Sequence, residues 1–227
     1  METMLALFPY GGIDGRVLEC VLGEMAEADG KILYYRAQDD ALISRARSYV
    51  ASLFYQKTKA DVLVMVDHDI LWSPGDVAQM AAKAHSLGAL VGGFYATRSR
   101  RGGHAGRLMA DRVSDLRLGT DKLHDAEYLP GGFIAIPRSV LRKIIEAKGV
   151  DRCLYNTMEE FWDFFRPLTV PSTLVDDPSV KEYLSEDWAF CHRARLAGAE
   201  KQFLWAKPLL GHIGTTVYTM TDAARPG

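Results

Sequence analysis

Val62-Leu63-Val64-Met65-Val66-Asp67-His68-Asp69 is the stretch whose reading decides the fold. Five apolar residues run without alternation and stop at two carboxylates. An unbroken β-favouring run of this length reads as a strand buried on both faces, as in parallel sheets covered by helices. In such sheets ligands bind just beyond the carboxyl ends of the strands, which is where Asp67 and Asp69 fall. If the chain stays extended, their side chains point the same way. Two like charges so placed are costly unless a cation sits between them, and a hard divalent ion already bridging phosphate oxygens would meet that need.

The flanking segments alternate in type. Residues 4–8 are a short apolar run ending in Pro9-Tyr10-Gly11-Gly12, read as a first strand and a glycine loop. Residues 16–28 place Val17, Leu18, Val21, Leu22 and Met25 at helical spacing, and residues 32–35 read as a second strand. Asp39 or Asp40 is an N-cap candidate for a helix carrying Leu42, Ala46, Tyr49, Val50 and Leu53. After the central strand, Ser73-Pro74 reads as a helix start that Gly88 ends, and residues 89–94 form another strand. The rhythm β-α-β-α-β-α-β predicts an α/β, mostly parallel sheet flanked by helices.

The second half is less regular. Arg98, Arg100, Arg101 and Arg107 lie among Gly102, Gly103 and Gly106. This is either a solvated basic loop or a lid that touches phosphates. Pro130-Gly131-Gly132 precedes an apolar run and then a helix from Pro137. Phe161, Trp162, Phe164 and Phe165 read as core, with a sugar-stacking wall as the alternative. Ser185 opens a helix stopped by Gly198, residues 202–205 form a last strand, and Pro208 to His212 follow.

Composition narrows the classes. The chain has 227 residues, a net charge of −2 and 48% hydrophobic residues. It is read as one domain over residues 1–227, and no general nucleic-acid binder is expected. Cys20, Cys153 and Cys191 form no C-x-x-C, so reduced thiols in a cytoplasmic protein are the simpler reading. No secretory signal or transmembrane segment is visible.

Four pieces stand in order along the chain: Asp67-His68-Asp69 after a buried strand, Pro130-Gly131-Gly132-Phe133, Ser185-Glu186-Asp187-Trp188, and Gly211-His212-Ile213-Gly214. Together they resemble a GT-A-fold glycosyltransferase of the family 2-like nucleotide-sugar transferases, with a D-x-D motif. The resemblance runs from Met4 to about His212. It implies a GT-A (Rossmann-like) fold and transfer of a sugar from a nucleoside-diphosphate donor, UDP or GDP, to a carbohydrate or other hydroxyl acceptor.

The resemblance also implies roles. Asp69 would bind a divalent cation with His212 as a late ligand, and Asp67 beside it is a candidate both for that cation and for the nucleotide. Imidazole with carboxylate oxygens suits Mn2+ better than Mg2+. Arg47 would reach the nucleotide or diphosphate. Gly131 and Gly132 would let a sugar approach the backbone, where a Cβ would obstruct it. Asp187 would be the base of an inverting transfer, with Glu186 as the other member of its acidic pair. His68, in the middle of the motif, is not read as a ligand. The loop after the first strand departs from the family. It is Pro9-Tyr10-Gly11 where a hydroxyl- or asparagine-rich nucleotide loop is common, so Pro9 and Tyr10 are candidates at the nucleotide and the base stays open.

Two rivals remain. Asp67-His68-Asp69 also resembles the first motif of HAD-type phosphatases, but here it lies well into the chain and continues Ile70-Leu71-Trp72. The other is a non-catalytic nucleotide-sugar-binding module of the same fold.

Overall fold

A computed structural model of the protein describes residues 1–98, 103–109, 117–155, 159–214 and 216–220. Arg100, Arg101 and Gly102 of the basic loop lie outside the described residues. The first half alternates as its periodicity predicts: β1 (Thr3–Phe8), α1 (Gly15–Glu27), β2 (Ile32–Arg36), α2 (Ile43–Lys57), β3 (Val62–Asp67), β4 (Ile70–Leu71), α3 (Asp76–Leu87) and β5 (Leu90–Gly93). There follow β6 (Arg107–Leu108), β7 (Leu123–Tyr128), β8 (Phe133–Pro137), α4 (Arg138–Glu146), β9 (Arg152–Tyr155), β10 (Glu159–Trp162), β11 (Leu168–Pro171), β12 (Lys181–Leu184), α5 (Glu186–Leu196), β13 (Gln202–Trp205), β14 (Gly211–Ile213) and β15 (Val217–Tyr218).

The main sheet has the order β2-β1-β3-β8-β5-β13-β7-β6. Its pairings leave β7 and β8 running against the other strands, so the sheet is mostly parallel in direction. The unbroken apolar run of β3 has the expected cause. Leu63 and Met65 enter a core with Val50, Phe54, Leu141 and Phe190 from α2, α4 and α5. Val62, Val64 and Val66 enter a second core with Val17, Val21, Val77 and Met80 from α1 and α3. Both faces are therefore covered, and a polar residue within the run would be left without water.

Three local expectations are corrected. The chain does not stay extended through Asp69: β3 ends at Asp67, and His68 and Asp69 form a turn into β4. Helix α3 starts at Asp76, not at Pro74. Pro74-Gly75 is a turn, with Gly75 at φ 86°, a conformation that favours glycine. The N-terminus of α3 is capped from α1, where the buried Glu24 carboxylate accepts from the N–H groups of Gly75, Val77 and Ala78. Neither Asp39 nor Asp40 is the cap of α2, whose cap position is Leu42. Asp40 instead accepts from the Leu42 N–H and from the Arg45 guanidinium.

The aromatic cluster belongs to the core. Phe161, Phe164 and Phe165 are buried, and Phe165 stacks on Phe190 with centroids 4.4 Å apart. Arg107 is not part of a lid. It sits in β6, ion-paired with Glu182 and Glu127 and laid over the Trp188 ring.

Candidate active site

The carboxyl ends of β1, β2 and β3 lie side by side, with Phe8 in register with Asp67 and Leu7 with Arg36. A cavity of about 290 Å³ opens there, lined by Phe8, Pro9, Tyr10, Gln38, Asp40, Ile43, Asp67, His68, Asp69 and Arg98 among others. It gathers Pro9, Tyr10, Asp67 and Asp69 from the sequence-based set. Two larger cavities, about 480 and 430 Å³, lie against α2 with β10 and against β4 with β14, and neither contains any of the predicted site residues.

Asp67 and Asp69 have different partners because the turn parts them. Asp67 faces Arg47, whose Nη2 lies 2.7 and 2.9 Å from the two carboxylate oxygens. Arg47 is 2% exposed. Burial opposes its charge, but Asp67, Glu186 and Asp187 outweigh that and raise its pKa. Its Nη1 lies 3.6 Å from Glu186 Oε1. Among the described residues, neither Nε nor Nη1 finds a hydrogen-bond partner.

Asp69 faces the other way. Its Oδ2 lies 3.5 Å from His212 Nε2 and 3.1 Å from Arg98 Nη1. Burial raises the Asp69 pKa, but His212 and Arg98 more than offset it, and the group stays below its ordinary value. Strand β14 brings His212 here by pairing with β4, and the Ile213 N–H donates to the Asp69 carbonyl at 2.7 Å. His212 Nδ1 lies 2.8 Å from the Ala96 carbonyl. A carbonyl only accepts, so Nδ1 carries a proton, and Nε2 is the ring nitrogen that faces Asp69. The hydrogen bond to Ala96 fixes the orientation of the ring, as outer partners do for metal-binding imidazoles. Among the described residues no three His, Cys, Asp or Glu side chains gather into a cage for a metal ion. His68 is tied elsewhere, with Nδ1 3.1 Å from the Phe8 carbonyl.

The acidic pair of α5 joins the same centre through the glycine loop. Asp187 Oδ2 accepts from the Gly131 N–H at 3.0 Å, while Oδ1 accepts from the Ser185 hydroxyl at 2.5 Å and the Trp188 N–H at 2.8 Å. Ser185 holds the cap position of α5 but spends its hydroxyl on Asp187 and not on the helix. Glu186 is largely buried, which raises its pKa above the ordinary carboxylate value, with Arg47 offsetting this only in part. A Cβ on Gly132 would lie 2.5 Å from Tyr95 Oη and 3.2 Å from Asp67 Oδ2, so the two glycines leave room for side chains of the site.

Sequence reasoning missed Tyr95, Gln38 and Asp40. Tyr95 is buried, accepts from the Gly132 N–H at 3.0 Å and meets the His212 ring edge-on at 5.3 Å. Gln38 and Asp40 follow the end of β2, so the strand-end rule that singled out Asp67 could have found these two, whereas Tyr95, an aromatic after an apolar strand, reads as core.

No protein-family profile matches the chain, and no curated protein sequence matches it. Solved structures do. The viral protein A197 from STIV superimposes with a TM-score of 0.56 at 13% identity, over 94% of this chain and 86% of that one. GalNAc-T7, crystallised with UDP, GalNAc and Mn2+, superimposes with a TM-score of 0.53 at 12% identity, over 94% of this chain. The fold is GT-A-like. The chain spans 44% of the GalNAc-T7 chain, under half its length. Among the described residues no helix is long and apolar enough to cross a membrane.

Proposed function

We propose that this protein is a metal-dependent glycosyltransferase that moves a sugar from a nucleoside-diphosphate donor to an acceptor hydroxyl with inversion. The observation that carries the reading is the Asp69–His212 pair. Two side chains from distant parts of the chain come together here: Asp69 lines the cavity, and His212 Nε2 lies 3.5 Å from its carboxylate. The GT-A-like fold adds the precedent of GalNAc-T7, which holds UDP, GalNAc and Mn2+.

In this reading Asp69 and His212 hold the cation, Mn2+ or Mg2+. When bound, it supplies Lewis-acid neutralisation of the diphosphate leaving group, worth several kcal/mol. Pro9, Tyr10 and Asp67 line the nucleotide side of the cavity. Arg47 is a positioning residue. Its burial and its contacts with Asp67 and Glu186 suit it to orient Asp67 and not to meet the diphosphate directly. Gly131 and Gly132 keep the loop free of Cβ atoms beside Arg47 and Tyr95.

Asp187 is the base. Its carboxylate lies in the first turn of α5 and accepts three hydrogen bonds. Oδ2, which among the described residues accepts only the Gly131 N–H, retains a lone pair for the acceptor's proton. The hydroxyl oxygen attacks the anomeric carbon as its proton passes to Asp187, and the diphosphate departs with the bonding pair.

An HAD-type phosphatase would need Asp67 free as a nucleophile, whereas its oxygens are held by a buried arginine. A thermal-shift screen of UDP- and GDP-sugars with and without Mn2+ tests the reading. Saturation a hundredfold above Kd stabilises by about 2.7 kcal/mol. Metal-dependent stabilisation by one class, followed by turnover to an inverted product seen by NMR, supports it. Binding without turnover on any acceptor would favour a non-catalytic module.

A further inference from the structure

At the mouth of the site one cation competes for the place a metal would take. Arg98 Nη1 and His212 Nε2 both face Asp69 Oδ2, at 3.1 and 3.5 Å. Arg98 and Arg47 are opposites in setting. The Arg47 side chain is 2% exposed and locked on Asp67, whereas that of Arg98 is 53% exposed. An ion pair with one arm in water is weak and displaceable, whereas a buried one is not.

We propose that Arg98 couples cation binding to diphosphate binding. Without a cation it neutralises Asp69; when a cation takes Asp69, its guanidinium turns to the donor's diphosphate. The inference rests on the metal-dependent reading above. Two cations on one carboxylate oxygen repel each other, so an arriving metal must displace Arg98. A metal arriving alone leaves the guanidinium with no anion in exchange. A metal arriving with a nucleoside diphosphate provides one, and a guanidinium matches phosphate oxygens in a two-pronged geometry. Each ligand then helps the other, and the help is reciprocal. The flexible stem of Arg98 and its exposure allow the turn, and Gly214 beside the stem leaves it room: a Cβ there would lie 3.2 Å from Arg98 Cδ.

The test is calorimetric titration of Mn2+ alone, and of UDP and GDP in saturating Mn2+, into the wild-type chain, Arg98→Gln and Arg98→Lys. Arg98→Gln should bind Mn2+ alone up to about fivefold more tightly, the gain expected from an exposed pair that no longer competes. It should also bind the nucleoside diphosphate with Mn2+ at least about fivefold more weakly. Arg98→Lys should keep the wild-type Mn2+ affinity, and all three should melt alike. Opposite changes in the two affinities are a signature that a merely structural arginine would not give. Unchanged Mn2+ affinity in Arg98→Gln overturns the competition, and unchanged nucleotide affinity overturns the coupling. A wild-type chain that binds neither Mn2+ nor nucleotide with Mn2+ fails differently: it overturns the metal-dependent reading, and this inference with it.

Discussion

A Cβ on Gly131 would lie 1.4 Å from Nη1 of Arg47 and 2.5 Å from its Cζ. The guanidinium of α2 occupies the space that a side chain in the loop before β8 would need. Arg47 cannot give way, because it is buried and holds Asp67. Gly131→Ala should therefore displace either the loop or the arginine, at about 1–3 kcal/mol. Chemical denaturation should show that loss together with weakened nucleotide binding. An alanine variant as stable as wild type would mean that the loop moves freely and the close approach has no function.

Arg47→Ala leaves the Asp67 and Glu186 charges uncompensated. Removing one partner of a buried ion pair costs about 3–5 kcal/mol, and the 28% exposure of the Asp67 side chain places the loss toward the lower end. Arg47→Lys keeps the charge but cannot reach Asp67 and Glu186 with two separate nitrogens, so it should recover stability only in part. If Arg47→Ala melts as the wild type does and only the nucleotide KM rises, Arg47 is a direct ligand and not a positioning residue.

Asp187→Asn keeps the size of the side chain and removes its basicity. The variant should bind the donor nearly as before and lose kcat by at least about a hundredfold. NMR of the wild-type product should show the anomeric configuration opposite to the donor's. Retention of configuration, or near-normal kcat in Asp187→Asn, would move the base elsewhere, with Glu186→Gln the next variant.

Asp40 gives a pH signature. Its hydrogen bonds with Arg45 hold its pKa below the ordinary 3.8, chiefly through the guanidinium. A carboxylate whose folded pKa is depressed stabilises the fold above its unfolded pKa and loses that contribution as pH falls through the folded value. The stability difference between wild type and Asp40→Asn should be constant near neutrality and shrink as pH drops below about 4. A difference that grows on acidification would contradict the pairing.

The sheet is legible in the sequence because β3 needs apolar residues on both faces and the helices beside it carry plain 3.6-residue stripes. Asp67, Asp69 and the Pro130-Gly131-Gly132 loop are legible for a related reason, since strand ends and glycines mark where ligands approach a sheet. What is hidden depends on distance along the chain. Glu24 caps α3 from 51 residues away, which Ser73-Pro74 conceals by imitating a local cap. The turn at His68 that sends Asp67 to Arg47 and Asp69 to His212 has no Gly or Pro to announce it. Tyr95 is silent because an aromatic residue after an apolar strand reads as core, and only the fold brings it against Gly132 and His212.

The most direct measurement is a titration of Mn2+ followed by electron paramagnetic resonance, in the presence of UDP and then GDP, on the wild-type chain, Asp69→Ala and His212→Ala. The predicted result is one bound Mn2+ per wild-type chain with one of the two nucleotides. Its affinity should fall at least about tenfold in each variant, and both variants should still fold cooperatively, because Asp69 and His212 belong to neither hydrophobic core. Wild-type affinity in both variants, or no Mn2+ bound by the wild-type chain with either nucleotide, would contradict the assignment of Asp69 and His212 as the metal pair.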